Sequence, residues 1–385
     1  MKKSFKILFA LLLLAMPGFA QETYKGLPVI KATANVADYK IGGELVKGTW
    51  QIMPELAPDV LQVPVHAQQE KVVFYTNLDS IVFHVQPGEK HQFYVMLNGK
   101  DYALTELQGF GFDGLKFNEL QVNPSYSFTY EQNVNNIFLN TLRGKYQLDE
   151  VVKGASNDTE RALRMVNWVH NQWKHNGANE PSRPDALTIL EEVKDGKQFR
   201  CVEYGIVATS CLNSIGLPAR VMGLKTKDVE TTEYGAGHVL LEVFLPDLQK
   251  WVMLDGQFDA MPVLHNIPLN AVEFQQAIAS NYDELEIRSL SGTSKAQYVN
   301  WVYPYLYYFD VRFDNREGMN IARETIKGKS SLMLVPAGAK KPKVFQVKYP
   351  MKDYLYTTSP ADLYRSPEIN TLQYAEPMQL SVTGF

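Results

Sequence analysis

Between about residues 155 and 260 the hydrophobic period of the chain changes once, from helices to strands, and this order restricts the fold more than any other feature. Asn157 followed three residues later by Glu160 is a helix-starting pair. Ala162, Val166, Val169 and Trp173 recur at spacings of 4, 3 and 4, which is one face of a helix that Gly177 can end. Asp185 caps a second helix, Ala186 to Val193, closed near Gly196. A third runs from about Cys201 to Ile215 and stops at Gly216 and Pro218. Three strand-like runs follow: Ala219 to Leu224, Val239 to Leu245 and Lys250 to Leu254. Helices and then strands predict an α+β domain, not a doubly wound sheet.

The flanking regions have another texture. Residues 21–150 read as a β-rich domain, expected to be a small antiparallel sandwich. Ile81, Phe83 and Val85 alternate before Pro87-Gly88, and Phe93, Val95 and Leu97 alternate before the hairpin signal Asn98-Gly99. Residues 151–290, which hold these helices and strands, form a second expected domain. Residues 291–385 are Tyr-rich strand and loop, completing that domain or covering its cleft. The run Gly109-Phe-Gly-Phe-Asp-Gly114 matches GxGxxG, but no helix pattern opens within it, so no cofactor is expected.

Residues 1–20 stand apart from the fold. Lys2, Lys3 and Lys6 precede an apolar run, Ile7 to Met16, and Gly18-Phe-Ala20 suits a signal peptidase. The expectation is a signal peptide cleaved after Ala20, an exported periplasmic or extracellular protein, and no membrane attachment afterwards. The apolar run is too short to span a bilayer of about 30 Å. Losing three lysines and no acid takes the formal charge from −4 to −7, and no basic block appears, so nucleic acid is not an expected partner.

Cys201 and Cys211 are the only cysteines. Ten residues apart on one helix, they would lie about 15 Å from each other, beyond the roughly 7 Å a disulfide spans. Both thiols are expected to be free. Cys211 falls on an apolar face with Ala208 and Ile215 and reads as core. Cys201 falls at a helix start, where unpaired N–H groups favour negative charge. A histidine beside it would stabilise a thiolate, and a carboxylate behind the histidine would orient it. His238 opens one strand and Asp255 closes the next, across a short loop, Pro246 to Gln249, that suits a hairpin. The candidate catalytic residues are therefore Cys201, His238 and Asp255. Arg220 reads as an anchor of the turn or an ion pair, and Trp251 as packing. His84 and His91, and His170 and His175, lack a ligand set, so no metal is expected.

These residues sit in motifs that resemble the transglutaminase-like superfamily. Phe199-Arg-Cys201-Val-Glu-Tyr-Gly leads to Gly216-Leu-Pro-Ala-Arg220, then to Gly237-His238-Val-Leu-Leu-Glu-Val243, then to Trp251-Val-Met-Leu-Asp255. The resemblance covers about residues 155–260. It implies a papain-like core, a helix carrying Cys201 packed on an antiparallel sheet, with a Cys-His-Asp triad that forms a thioester. It also implies that the Cys201 N–H is half of an oxyanion hole, the other half left open among Gln198, Trp168 and Trp173. Two positions depart from the family pattern: Leu240 replaces an aromatic, and Gly256-Gln257 replaces Pro-Thr.

The implied function is a secreted cysteine hydrolase acting on peptide or isopeptide amides of a protein or peptide substrate. Acyl transfer to an amine, and a binding module that has lost turnover, are the alternatives.

Overall fold

The computed structural model describes residues 22–367, apart from 56–57, 67, 119–121, 132, 134 and 319–321. The expected signal peptide and its cleavage point lie outside the described residues. The chain divides after Gly111 into two units.

The first unit is a sandwich of strands β1 (Thr23–Tyr24), β2 (Leu27–Ala32), β3 (Val36–Ile41), β4 (Glu44–Gln51), β5 (Asp59–Val65), β6 (Glu70–Tyr75), β7 (Ser80–Val85), β8 (Lys90–Leu97) and β9 (Asp101–Gly111). One sheet runs β1-β2-β8-β9-β5 and the other β4-β3-β6-β7. Alternate residues such as Val72 and Phe74, or Phe93 and Val95, are buried in one core, as half-buried strands require. Asn98 and Gly99 take φ of 53° and 74° and join β8 to β9 in the expected hairpin. The sandwich is not purely antiparallel, because β2 pairs β8 and β5 pairs β9 in parallel. Turn signals reveal only pairs adjacent along the chain, so these distant pairings left no mark. The Gly109–Gly114 run is the end of β9 and the coil after it, with no helix.

The expected β-rich region ends at Gly111, well before residue 150. Residues 112–150 belong to the second unit and carry α1 (Ile137–Lys145) and the start of α2 (Leu148–Val152). Both helices are short, within a stretch that the sequence pattern places in the β-rich region. Tertiary packing settles the matter: Leu142 and Leu148 are fully buried in the core that holds the following helices.

Those helices are α3 (Asp158–His170), α4 (Ala186–Lys194) and α5 (Cys201–Ser214). The caps are as expected: Asn157 Oδ1 accepts from Glu160 N at 2.8 Å, and Asp185 Oδ1 from Thr188 N at 2.9 Å. α3 ends at His170, short of the expected Gly177, yet Trp173 stays buried beyond it. Among the described residues the central sheet has six strands, ordered Lys250–Leu254, Gly237–Leu245, Ala219–Lys225, Tyr308–Arg312, Ser331–Leu334 and Tyr354–Thr357. Neighbours are antiparallel except the last pair. Strand alternation gives the sheet two apolar faces. Ala219, Leu241, Val243 and Val252 pack against α1–α5. Met222, Leu240, Phe309 and Leu332 pack against α6 (Ala271–Ser280) and α7 (Lys295–Val302). The fold is α+β, and residues beyond 290 supply three of the six strands.

Arg220 and Glu242 face each other on neighbouring strands, both fully buried, with Nη2 donating to Oε2 at 2.6 Å. The guanidinium also donates to the Leu363 carbonyl at 2.7 Å and lies over the Trp251 ring at 4.1 Å. Glu242 Oε1 accepts from the Tyr364 hydroxyl and the Ala271 N–H. The buried pair thus ties two distant segments, at Ala271 and at Leu363–Tyr364, to the sheet. Removing one partner of such a pair strands a buried charge, at about 3–5 kcal/mol.

Candidate active site

Cys201 is the first residue of α5. Arg200 N donates to Glu203 Oε2 at 3.0 Å, so a first-turn carboxylate anchors the entry to the helix. Two glycines set how closely this helix approaches its neighbours. A Cβ on Gly205 would stand 3.0 Å from Val239 Cγ1 and 3.2 Å from the Leu240 carbonyl oxygen. A Cβ on Gly256 would stand 3.2 Å from Tyr204 Cβ. The first turns of α5 are held between the His238 strand and the turn that follows Asp255. Both cysteines are free; Cys201 is partly exposed, and Cys211 is fully buried. Burial pushes the Cys211 thiol up.

The hairpin behaves as the sequence suggests. Leu241 pairs Leu254, so Asp255 lies one residue past that pair and His238 three before it. Alternation turns His238, Leu240 and Asp255 to one face of the sheet. His238 Nε2 and Asp255 Oδ2 lie 2.7 Å apart, both groups buried. Asp255 accepts three further hydrogen bonds. Oδ1 takes the backbone N–H groups of Gln257 (2.9 Å) and Phe258 (3.3 Å), and Oδ2 takes the Tyr298 hydroxyl at 3.0 Å. With Nε2 committed to Asp255, Nδ1 is the nitrogen left for Cys201, which lies close enough to the imidazole to favour its charged form. Burial works against the imidazolium, but the charge and hydrogen bond of Asp255, with help from Cys201, outweigh it and push His238 up to about 9.

An aromatic wall encloses the pair. Trp301 meets the His238 ring edge-on, 4.8 Å between centroids at 89°, and Tyr305 lies 5.9 Å away. Phe258 packs on Trp301 at 4.4 Å. Burial, then the Cys201 charge, push Tyr305 up. Sequence reasoning missed Tyr298, Trp301 and Tyr305. The three-residue step from Tyr298 to Trp301 marks a shared helix face, but nothing in the sequence links that face to residues 40 positions earlier. On one side, Cys201 and His238 line a cavity of about 680 Å³ shared with Val202, Ile206, Phe345 and Met351.

The candidates for a second oxyanion donor occupy different places. Gln198 is exposed, and its carbonyl accepts from Asn179 Nδ2. Trp168 packs on Tyr146 in the helical core. Trp173 stacks on Tyr204 at 4.2 Å, with Nε1 buried and without a hydrogen-bond partner. His170 Nδ1 lies 3.0 Å from the Gln257 carbonyl, bracing the turn after Asp255. Among the described residues no group of three or more His, Cys, Asp or Glu side chains could hold a metal, and no helix is long and apolar enough to cross a membrane.

Comparison with known proteins agrees with this geometry in one segment. Residues 146–256 match the family model described as transglutaminase-like superfamily. No curated protein matches the chain. Solved structures that resemble it include a candidate cysteine protease from Cytophaga hutchinsonii, at 12 % identity and a TM-score of 0.26, covering 44 % of this chain and 55 % of that one. A structure named a TGase has 20 % identity and a TM-score of 0.24, covering 31 % of each chain. Red sea bream transglutaminase has 11 % identity and a TM-score of 0.24, covering 72 % of this chain and 65 % of that one. This chain therefore spans about half the length of the Cytophaga protein and less than two thirds of the other two. Residues 146–256, which contain Cys201, His238 and Asp255, therefore form a domain of the transglutaminase-like superfamily.

Proposed function

We propose that this protein is an exported cysteine hydrolase that cleaves peptide or isopeptide amide bonds through a thioester on Cys201. The observation that carries the reading is the buried His238–Asp255 hydrogen bond beside Cys201, with Cys201 and His238 lining one cavity. His238, pushed up to about 9, holds its proton through the neutral range and can stand as an imidazolium beside the sulfur. The thiolate attacks the amide carbon and a C–S bond forms. The negative oxygen is met by the Cys201 N–H, one of the groups a helix start leaves unpaired. His238 gives its proton to the nitrogen as the C–N bond breaks and the amine leaves. Water then attacks the thioester, His238 takes a proton from it, the C–S bond breaks and the acid is released. Asp255 keeps the imidazole oriented throughout. The leader at residues 1–20 supports export, with a protein or peptide as substrate.

Iodoacetamide labelling of the mature protein across a pH series tests the reading, with Cys201→Ser and His238→Ala beside it. An activated sulfur labels at Cys201 well below pH 8, and more slowly without His238. Labelling that follows an ordinary thiol, near pH 8.5, would instead indicate a binding module. Adding a primary amine to a glutamine-containing peptide then separates the alternatives, since hydrolysis yields the acid and transfer yields the substituted amide.

A further inference from the structure

We propose that Tyr298 is a positioning residue for this reaction, its buried hydroxyl fixing the Asp255 carboxylate so that Oδ2 stays aimed at His238 Nε2. The inference rests on the reading above and extends it to α7, which lies beyond the matched segment 146–256.

The two carboxylate oxygens are held differently. Oδ1 is tied by the backbone of its own turn, through Gln257 and Phe258. Those bonds cannot by themselves stop the carboxylate tilting about Oδ1. Among the described residues Oδ2, the oxygen that serves His238, gains its one other bond from Tyr298, which comes from across the domain at 3.0 Å and is fully buried. The ring that carries this hydroxyl is itself fixed. It stacks parallel to Phe274 of α6, at 6.1 Å between centroids and 10° between planes. Trp301, three residues on and so on the same face of α7, sets its edge against the His238 ring. One helix face therefore holds both members of the His–Asp pair.

The approach to α7 is fastened to the same turn. Asp259 Oδ2 accepts from Ser291 N (2.7 Å), Ser289 Oγ (3.0 Å) and Asn167 Nδ2 (2.9 Å). Thr293 Oγ1 donates to the Phe258 carbonyl. The other titratable groups facing the pair are Cys201 and Tyr204 from α5, Tyr305 beyond α7, and His175, which also senses Glu203. None of them donates to Oδ2. Losing the phenol hydroxyl has two consequences. The carboxylate loosens, so His238 presents Nδ1 to the sulfur less often. The negative charge on Oδ2, no longer shared with a phenol, acts more fully on the imidazolium and raises its pKa further.

The test compares iodoacetamide labelling of Cys201 in the mature wild type, Tyr298→Phe and Phe274→Leu from about pH 5 to about pH 10. Phe274→Leu disturbs the packing of the same ring and keeps the hydroxyl. For Tyr298→Phe the expected result is a rate at neutral pH lower by roughly tenfold, the loss of one hydrogen bond to a charged group, and a basic limb moved to higher pH. Phe274→Leu should leave the limb in place. If Tyr298→Phe lowers the melting temperature too far to assay, the same variant compared with wild type at lower temperature carries the same expectation. A Tyr298→Phe profile superimposed on wild type, or an equal shift in Phe274→Leu, overturns the inference while leaving the catalytic reading intact. A wild type that labels as an ordinary thiol overturns both.

Discussion

Replacing Asp255 with asparagine changes one atom of the carboxylate and removes its charge. Oδ1 must still accept from the Gln257 and Phe258 N–H groups, so the amide NH₂ takes the place of Oδ2. It would then point at His238 Nε2 and the Tyr298 hydroxyl, both of which now donate. The imidazole resolves the conflict by losing the Nε2 proton and keeping the other on Nδ1, the wrong tautomer to receive a proton from sulfur. The charge effect acts in the same direction. Asp255 is the main force holding His238 near 9 against a burial penalty that lowers it. Without that force His238 should fall below its ordinary 6.5. A fall from about 9 to 6.5 or lower is on the order of 3 kcal/mol in the balance between imidazolium and imidazole. Iodoacetamide labelling of Cys201 reads this directly. At pH near 7 the Asp255→Asn protein should label slower by one to two orders of magnitude, and its profile should move toward the ordinary thiol range near 8.5. A folded Asp255→Asn protein with the wild-type profile would refute the reasoning, because the carboxylate would then have no hold on the imidazole.

Other outcomes follow from the same geometry. Gly205→Ala places a methyl group 3.0 Å from Val239, so the first turns of α5 must shift; urea melts should show a loss of about 1–3 kcal/mol, with slower labelling of Cys201. Arg220→Met leaves Glu242 buried without its partner and should cost about 3–5 kcal/mol in the same melts. Cys211→Ala should leave the labelling profile of Cys201 unchanged, and Cys211 itself should label only on unfolding, as mass mapping can show. His238 has a raised folded pKa, so its stabilising contribution is complete below about 6.5 and is lost as pH rises through about 9. The stability gap between wild type and His238→Gln should narrow across that window.

Much of the centre of this protein was legible because it is written locally. Asn157, Asp185 and the Gly216-Leu-Pro218 stop each act within one turn of where they sit, so α3 and α4 begin, and α5 ends, where these residues put them. The short loop Pro246–Gln249 made a hairpin, and the hairpin alone sets His238 near Asp255. What failed was written at a distance. The parallel pairing of β5 with β9 joins Asp59 to Thr105, and no turn signal spans such a gap. α1 and α2 are too short for their period to declare itself, and they become helical by burying Leu142 and Leu148. Tyr298 reaches Asp255 only because Asp259 and Phe258 fasten the approach to α7. Gly256 looked like a departure from the family pattern; its missing side chain is what lets Tyr204 sit against the turn.

Trapping the acyl-enzyme addresses the nucleophile without knowledge of the natural substrate. The mature protein is mixed with an activated acetyl ester, quenched in acid and digested, and the acetyl group is located by mass spectrometry. The expected result is an acetyl thioester on Cys201 that hydroxylamine removes and that does not form in Cys201→Ser or build up at neutral pH in His238→Ala. Acetylation confined to lysines and unchanged in Cys201→Ser would contradict the assignment of this sulfur as the reacting atom.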